Sequence, residues 1–357
     1  MSSSKIERDN YADIVKAIGI ISIVIGHSSW TITRFNIEIG PFVYAYHLMI
    51  FMFISGYLFS TKKAENDPNY KYYSLGKQLI NFIKLYFIYT LLFVVLHNSL
   101  VSIYAIDSTN YSILDIFSRI INSLSFSSSE ILMSAFWFIP TLIIARILFT
   151  ITYSDKNVSK WYKIIPIIVV FSLIGLILCK KNIRLNYRIQ ISILSVPIIY
   201  FGVLVKKYWN KIQKFITPWA WIICSIIISI VNHISKTSVE LSVNRLISPF
   251  IFYPLTLVGI YFCLSLAKMI SKIKHINCGV ATVGKYSFHI MALHFLVIKL
   301  VDVVYSKTHG ISNVELITHF PNSYSNKLYL IYYLLGVLIP TLVMVLIDKI
   351  KNKIIKK

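Results

Sequence analysis

The sequence predicts an all-α, polytopic integral membrane protein with about ten transmembrane helices and both termini in the cytoplasm. Hydrophobic residues make up 56% of the 357 residues and charged residues 14%, about half of the roughly 25% typical of soluble domains. The mean hydropathy is +0.69. Because a soluble chain of this size could not bury so much apolar surface in one core, we expect much of it to face lipid.

The apolar residues are concentrated in runs of about 20 residues, the length that an α-helix needs to cross the hydrocarbon core of a bilayer. No linker, internal repeat or change of composition divides these runs, so we expect a single transmembrane domain over residues 1–357. The predicted spans are 13–31, 42–60, 79–101, 135–153, 162–179, 190–205, 218–234, 247–267, 283–304 and 328–348.

The distribution of Lys and Arg predicts the orientation of these spans. Cytoplasmic loops carry an excess of basic residues, and with the N-terminus inside, the inner segments hold about twice as many Lys and Arg as the outer loops. One outer loop disagrees, since residues 180–189 contain Lys180, Lys181, Arg184 and Arg188. Either a span boundary is misplaced there, or an outer basic patch meets an anionic partner.

Charge and cysteine content exclude other classes of protein. The net charge of +22 would suit nucleic-acid binding, but the lysines lie mostly in short gaps between apolar runs, so we expect no nucleic-acid partner. The sequence contains no C-x-x-C, no H-E-x-x-H and no glycine-rich phosphate loop. The four cysteines also lack the spacing of metal ligands, and we predict no metal.

Ionisable side chains at mid-membrane depth are the strongest functional signal, because burying them in a bilayer is costly. Lys16 and His27 of the first span are 11 residues apart, which places them on one face of a helix and about 16 Å apart. Lys16 is either a snorkelling anchor or part of a site. His47 in the second span lies at a comparable depth, so antiparallel packing would bring the two histidines together. Ser55-Gly56 serves either helix packing or the passage of a slender substrate.

Two later spans carry further candidates. In Trp137-Phe138-Ile139-Pro140, the tryptophan is either an interfacial anchor or a substrate contact, and the proline is expected to kink the helix. The ninth span places His294 near mid-depth. Five further histidines at span ends or in loops are expected to be ordinary surface residues: His97, His233, His275, His309 and His319. Four cations toward the inner ends could form a basic vestibule or could each snorkel to the interface: Lys16, Lys84, Arg146 and Lys285.

These motifs resemble acyltransferase family 3, the membrane-bound O-acyltransferases of bacterial surface polysaccharides, which include fucose 4-O-acetylase-like members. The family's first helix carries Arg or Lys, ten residues and then His, matched here by Lys16 and His27. Its second helix has a His and an apolar stretch ending in Ser-Gly, matched by His47 and Ser55-Gly56. The remaining matches, to a Trp-Phe helix and a late Gly-Lys-x-Ser…His segment, are Trp137, Phe138, Gly284, Lys285, Ser287 and His294.

The resemblance implies an acyl-CoA-dependent O-acyltransferase in the bacterial cytoplasmic membrane. Acetyl-CoA or another acyl-CoA would be the donor, with acetyl as the default, and a cell-surface or lipid-linked glycan would be the acceptor. The implied donor-binding residues are Lys16, Lys84, Arg146 and Lys285. The implied substrate contacts are Ser55, Trp137 and His294.

A sugar hydroxyl is a poor nucleophile and needs a base, which histidine supplies near neutral pH. We predict that His27 is this base, with His47 orienting the acceptor or stabilising the oxyanion. A transient acyl-histidine that relays the group is the alternative mechanism. A transporter or flippase is the main rival function, and a non-catalytic subunit of a glycan-export complex is the third.

Overall fold

The computed structural model describes residues 9–28, 31–32, 37–126, 130–154, 160–310, 312 and 325–355. Helices dominate these residues, and the strands among them are a two-residue pair. Several basic residues used to predict the orientation lie outside the described residues, namely Lys5, Arg8, Arg34, Lys156, Lys356 and Lys357. His319 lies outside them as well.

The elements follow one another in chain order. The first helices are α1 (Asn10–Ser28), α2 (Ile39–Tyr44), α3 (Met49–Tyr57), α4 (Thr61–Asn66), α5 (Tyr70–Ser102), α6 (Ile113–Asn122) and α7 (Phe138–Thr152). The later ones are α8 (Ile165–Lys180), α9 (Ile189–Lys207), α10 (Trp209–Ile212), α11 (Ala220–Ser235), α12 (Pro249–Ser271), α13 (Lys274–Lys285), α14 (Ser287–His309) and α15 (Ser325–Ile355). Strands β1 (Thr31–Ile32) and β2 (Ile37–Glu38) pair antiparallel between α1 and α2.

Nine segments of the described residues are long and apolar enough to cross a membrane. They are Asn10–Ser28, Ile39–Tyr57, Tyr70–Ser102, Ile131–Thr152, Tyr162–Lys180, Asn186–Lys207, Pro249–Ser271, Ser287–His309 and Leu328–Ile354. The seventh predicted span, 218–234, corresponds to the 16-residue apolar helix α11, about 24 Å long against a hydrocarbon core of about 30 Å. Each predicted span thus contains a helix, and the chain is a multi-pass membrane protein.

Helix α1 occupies the middle of the bundle, in contact with α3, α12, α13, α14 and α15. Most of its residues are buried, whereas α8, which is more apolar than α1, buries only Gly175 and Cys179. A helix that is apolar on all sides and surrounded by other helices is an interior helix. Because α1 carries both Lys16 and His27, these two side chains are held inside the protein.

Helices α3 and α9 approach each other so closely that their backbones touch. A Cβ atom at Gly56 would overlap the carbonyl oxygen of Ile199, and one at Gly202 would overlap that of Phe53. Small residues permit such close crossings between membrane helices. Of the two interpretations of Ser55-Gly56, helix packing therefore accounts for the glycine.

Helical geometry is interrupted in three neighbouring places. Residues 45–48 form a turn between α2 and α3, and Ile131–Trp137 is a 3₁₀ helix that becomes α7 at Phe138. Pro140 thus occupies the first turn of α7, where a missing amide proton costs no intrahelical bond, and the change of helix type precedes it. The third interruption is the 3₁₀ turn Asn186–Arg188. Irregular backbone at membrane depth is tolerated where protein covers it or where it lines a cavity.

The prediction that His97 is a surface residue is wrong. Its side chain is 2% exposed, with Nδ1 2.9 Å from Oε2 of Glu130 and Nε2 3.0 Å from the carbonyl oxygen of Thr109. The Tyr111 ring stacks on it, and the Tyr111 hydroxyl donates to Glu130 at 3.0 Å. Burial and the Glu130 carboxylate raise the pKa of Tyr111 to about 12. This cluster connects α5 to the segment before α7, a role that sequence spacing does not reveal because Glu130 is 33 residues away.

Candidate active site

Two histidines from different elements line one small cavity, which we call the histidine cavity. Its volume is about 140 Å³, whereas pockets that enclose a whole small-molecule ligand measure about 300–1,000 Å³. The cavity therefore has room for reacting groups and not for a whole sugar. Its polar lining residues are His27, Tyr44, His47, Trp137, Glu240 and Ser242.

His47 lies in the turn that separates α2 from α3, and its ring is fixed by the backbone. Nδ1 is 3.1 Å from the carbonyl oxygen of Val43, and the Tyr44 ring packs on the imidazole with centroids 4.4 Å apart. Because a carbonyl oxygen can only accept, Nδ1 carries the proton. In the neutral ring Nε2 is then an acceptor, which suits binding a hydroxyl group better than stabilising an oxyanion.

The ring of His27, in the last turn of α1, packs against a second histidine, His294. The rings of His27 and His294 have centroids 5.5 Å apart, and His294 is fully buried. Nδ1 of His294 lies 3.1 and 2.8 Å from the carbonyl oxygens of Ile290 and Met291, so it carries the proton. Nε2 of His294 has no hydrogen-bond partner among the described residues. His294 packs against His27 and does not line the histidine cavity. Its role as a substrate contact stays a prediction.

A larger cavity lies on the side of Lys16, and we call it the lysine cavity. Its volume is about 270 Å³, and its polar lining residues are Lys16, Ser55, Gln78 and Ser287. The ammonium group of Lys16 is 2.5 Å from Oδ1 of Asp13. Three apolar residues line both cavities and form the wall between them: Ile23, Phe138 and Met291.

Comparison with known proteins shows the family. A family model described as an acyltransferase domain matches residues 9–349. The chain belongs to acyltransferase family 3. No curated protein and no solved structure matches it. The protein is thus a membrane acyltransferase, and the match favours the predicted enzyme over the transporter and the non-catalytic subunit.

The acyltransferase does not gather the four predicted donor-binding cations into one vestibule. Lys16 lines the lysine cavity, but the Lys84 side chain of α5 is exposed and does not line it. The Lys285 ammonium is 2.6 Å from Oδ2 of Asp348. Burial lowers the pKa of Lys285, but hydrogen bonds to Asp348 and Tyr286 raise it by more. Helical spacing did not show that Asp348 of α15 lies beside Lys285.

Arg146 of the acyltransferase is 1% exposed and lies beside the lysine cavity. Its Nη1 donates to the carbonyl oxygen of Ser55 at 3.2 Å, and the guanidinium packs over the Phe149 ring at 5.1 Å. Nε and Nη2 have no hydrogen-bond partner among the described residues. A buried guanidinium with free donors is costly unless a partner binds it, so Arg146 is the second cation that could meet a bound anion.

The other predicted site residues of the acyltransferase are divided between the two cavities. Trp137 lines the histidine cavity, and Ser55 lines the lysine cavity beside Ser287 of the late motif. Gly284 of that motif has a packing role, since a Cβ there would overlap the carbonyl oxygen of Asp13. The family motifs therefore combine residues that line cavities with residues that let helices approach.

Sequence reasoning missed Glu240 and Ser242. Both lie in the connection between α11 and α12, where Glu240 accepts a hydrogen bond from the Ser242 hydroxyl and pairs with Arg245 through the backbone. They bring a carboxylate and a hydroxyl to the histidine cavity. The only available signal was a carboxylate in a short loop of an acid-poor chain. Among the described residues, no three His, Cys, Asp or Glu side chains are grouped as metal ligands.

Proposed function

We propose that the protein is an O-acyltransferase of the bacterial cytoplasmic membrane that moves an acyl group, by default acetyl, from cytoplasmic acyl-CoA to a glycan hydroxyl. The glycan is a cell-surface or lipid-linked saccharide. The observation that carries the proposal is the pair of adjacent cavities, one lined by two histidines and the other by a lysine. They meet at Ile23, Phe138 and Met291.

The lysine cavity suits the donor. CoA phosphates are anions that lysine and arginine bind through charge-assisted hydrogen bonds. We assign this role to Lys16, which lines the cavity, and to Arg146, which donates to the carbonyl oxygen of the lining residue Ser55. The rest of the lysine cavity is mostly apolar, with Phe51, Phe82 and Phe288 among its lining residues. Such a lining accommodates the uncharged thioester arm, which would reach the histidine cavity past Met291.

The histidine cavity suits the transfer step. His27 removes the proton from the acceptor hydroxyl while the hydroxyl oxygen attacks the thioester carbonyl carbon. Collapse of the tetrahedral intermediate breaks the carbon–sulfur bond, and the proton held by His27 passes to the departing thiolate. Nε2 of His47 accepts a hydrogen bond from a neighbouring hydroxyl of the acceptor sugar and so orients the attacking one. In the relay mechanism, a ring nitrogen of His27 attacks the thioester first, CoA leaves, and the hydroxyl then takes the acyl group.

The test is transfer of label from radioactive acetyl-CoA to glycan or lipid-linked sugar in membranes that contain the protein. We expect base-labile label with the wild type and with His233→Ala, which removes an exposed histidine. We expect a loss of at least about 10²-fold with His27→Ala, the usual contribution of general acid–base catalysis.

Equal activity of His27→Ala and wild type would overturn both mechanisms. If a panel of acyl-CoA donors and native glycans gave no transfer with the wild type, the acyl-CoA proposal itself would fail. Rapid quenching separates the two mechanisms, because label bound to the protein through His27 before acceptor is added identifies the relay.

A further inference from the structure

A third and larger cavity lies beside the histidine cavity, and we call it the outer groove. Its volume is about 610 Å³, within the range of pockets that hold a whole ligand. Its polar and aromatic lining residues include Trp137, Arg184, Asn186, Tyr187, Arg188 and Gln190. Two of these are arginines, and none of the described lining residues is acidic.

The outer groove adjoins the histidine cavity at Trp137. Trp137 lines both, and the Arg188 guanidinium lies over its ring at 4.8 Å from the centroid. Arg188 Nη1 donates to the carbonyl oxygen of Ser242, a residue of the histidine cavity. The Glu240 carboxylate accepts a hydrogen bond from the Ser242 hydroxyl. Glu240 lines the histidine cavity and not the groove. A ligand in the groove would therefore lie next to His27 and His47.

The backbone of the groove is held in an uncommon conformation. Tyr187 and Arg188 have φ angles of 53° and 54°, and two successive non-glycine residues with positive φ are rare. The amide oxygen of Gln190 accepts from the backbone amide of Leu185 at 3.0 Å, and its Nε2 donates to Asn244 at 2.8 Å. These bonds fix the loop that presents Arg184 and Arg188 to the groove.

The groove accounts for two of the four positive charges in the loop that breaks the charge pattern. Residues 180–189 carry four positive charges on the side where basic residues are disfavoured. The span boundaries near this loop are close to those predicted, so a misplaced boundary does not explain the charges. Two of the four, Arg184 and Arg188, line the groove, whereas Lys180 and Lys181 are exposed outside it.

We propose that the outer groove binds the acyl acceptor and that this acceptor is anionic, with a carboxylate or phosphate held by Arg184 and Arg188. The guanidinium fork matches both groups in geometry and charge. The rings of Trp137 and Tyr187 offer apolar faces to a sugar, whose reactive hydroxyl enters the histidine cavity. The inference rests on the proposed function for the identity of the ligand as acceptor. The negative charge comes either from an acidic sugar or from the diphosphate of a lipid carrier.

Binding to the purified full-length protein in nanodiscs of neutral lipid tests the proposal without requiring acyl transfer. The probes are tetragalacturonate, its carboxyl-reduced neutral form, and undecaprenyl diphosphate. Arg184→Gln and Lys181→Gln each remove one positive charge from the same loop, but only Arg184 lines the groove. Both side chains are exposed, and thermal melting verifies that both variants are folded.

We expect an anionic probe to bind the wild type and Lys181→Gln equally, and Arg184→Gln about tenfold more weakly, as for the loss of one charged hydrogen bond. The affinity should also fall as salt is raised. Preference for tetragalacturonate identifies an acidic glycan, and preference for undecaprenyl diphosphate identifies the lipid carrier. Equal binding of the neutral form, equal weakening by both substitutions, or no binding of either anionic probe overturns the proposal.

The two proposals fail separately. Because His27 does not line the groove, His27→Ala should retain anion binding while losing acyl transfer. If His27→Ala transfers acyl groups normally, the proposed mechanism fails and the groove result stands. If anion binding is absent while His27-dependent transfer is present, the groove proposal fails alone.

Discussion

At the residue scale, the site depends on which imidazole nitrogens are already engaged. The carbonyl oxygen of Val43 holds Nδ1 of His47, and two carbonyl oxygens hold Nδ1 of His294. These contacts fix the tautomers of His47 and His294. In the described structure, the ring of His27 makes no such hydrogen bond to a backbone carbonyl. A ring that is free to exchange its proton suits a general base, and a ring with a fixed tautomer suits orientation of a substrate.

This division predicts the effect of replacing His47. In His47→Asn the amide nitrogen lies near the former Nδ1 and can still donate to the carbonyl oxygen of Val43, but the hydrogen-bond acceptor atom Nε2 is lost. We expect an unchanged melting temperature and a fall of about 10²-fold in kcat/KM for the acceptor, measured at saturating donor. His47→Gln, which places an amide near the former Nε2, should recover part of the activity. Wild-type activity in His47→Asn would show that Nε2 does not act on the acceptor.

The candidate histidines could be predicted from the sequence, but their partners could not. His27 and His47 stand out because an ionisable group at mid-depth in an apolar run is costly, and that signal is local. The contacts of Glu240 with the histidine cavity and of Lys285 with Asp348 join residues far apart in the chain. No helical period relates such residues, and sequence spacing could not show which cations lie together. The structure leaves Lys16 and the buried Arg146 near the lysine cavity, in place of the predicted vestibule of four cations.

At the element scale, several residues of the candidate site lie where helices are interrupted. His47 lies in the turn before α3, Trp137 ends a 3₁₀ helix, and Arg188 ends the turn before α9. An apolar run predicts that a segment enters the membrane, but it does not show where the helix stops within the run. The spans were therefore predicted well, while the turn at residues 45–48 was not.

The close crossing of α3 and α9 predicts a sharp difference between two glycines. Gly56→Ala inserts a methyl group into the Ile199 carbonyl, and we expect a loss of about 1–3 kcal/mol, the usual cost of overpacking. Gly279→Ala in α13 meets nothing within 4 Å and should stabilise by up to about 1 kcal/mol because alanine favours the helix. Melting temperatures in one detergent compare the two, and equal melting temperatures would contradict the close crossing.

At the scale of the whole molecule, the two cavities give the protein two functional ends. The lysine cavity lies toward the start of α1 and the histidine cavity toward its end. The charge distribution predicts that the first end faces the cytoplasm, the compartment of the proposed acyl-CoA donor, and that the second faces the opposite side. The positions of the cavities along α1 show that the two ends are separate, but they do not show which end faces the cytoplasm. Only the distribution of Lys and Arg predicts that.

The native cysteines offer a direct measurement of this orientation. Cys278 in α13, at the lysine end, is exposed, whereas Cys179, Cys224 and Cys263 are buried. If the lysine end is cytoplasmic, a membrane-impermeant maleimide should label the wild type only after the cells are permeabilised, and Cys278→Ser should abolish that labelling. Adding Lys181→Cys to Cys278→Ser places a thiol at the histidine end, and this variant should be labelled in intact cells. The reverse pattern would put the histidines on the cytoplasmic side, and donor and acceptor would then have to exchange the cavities proposed for them.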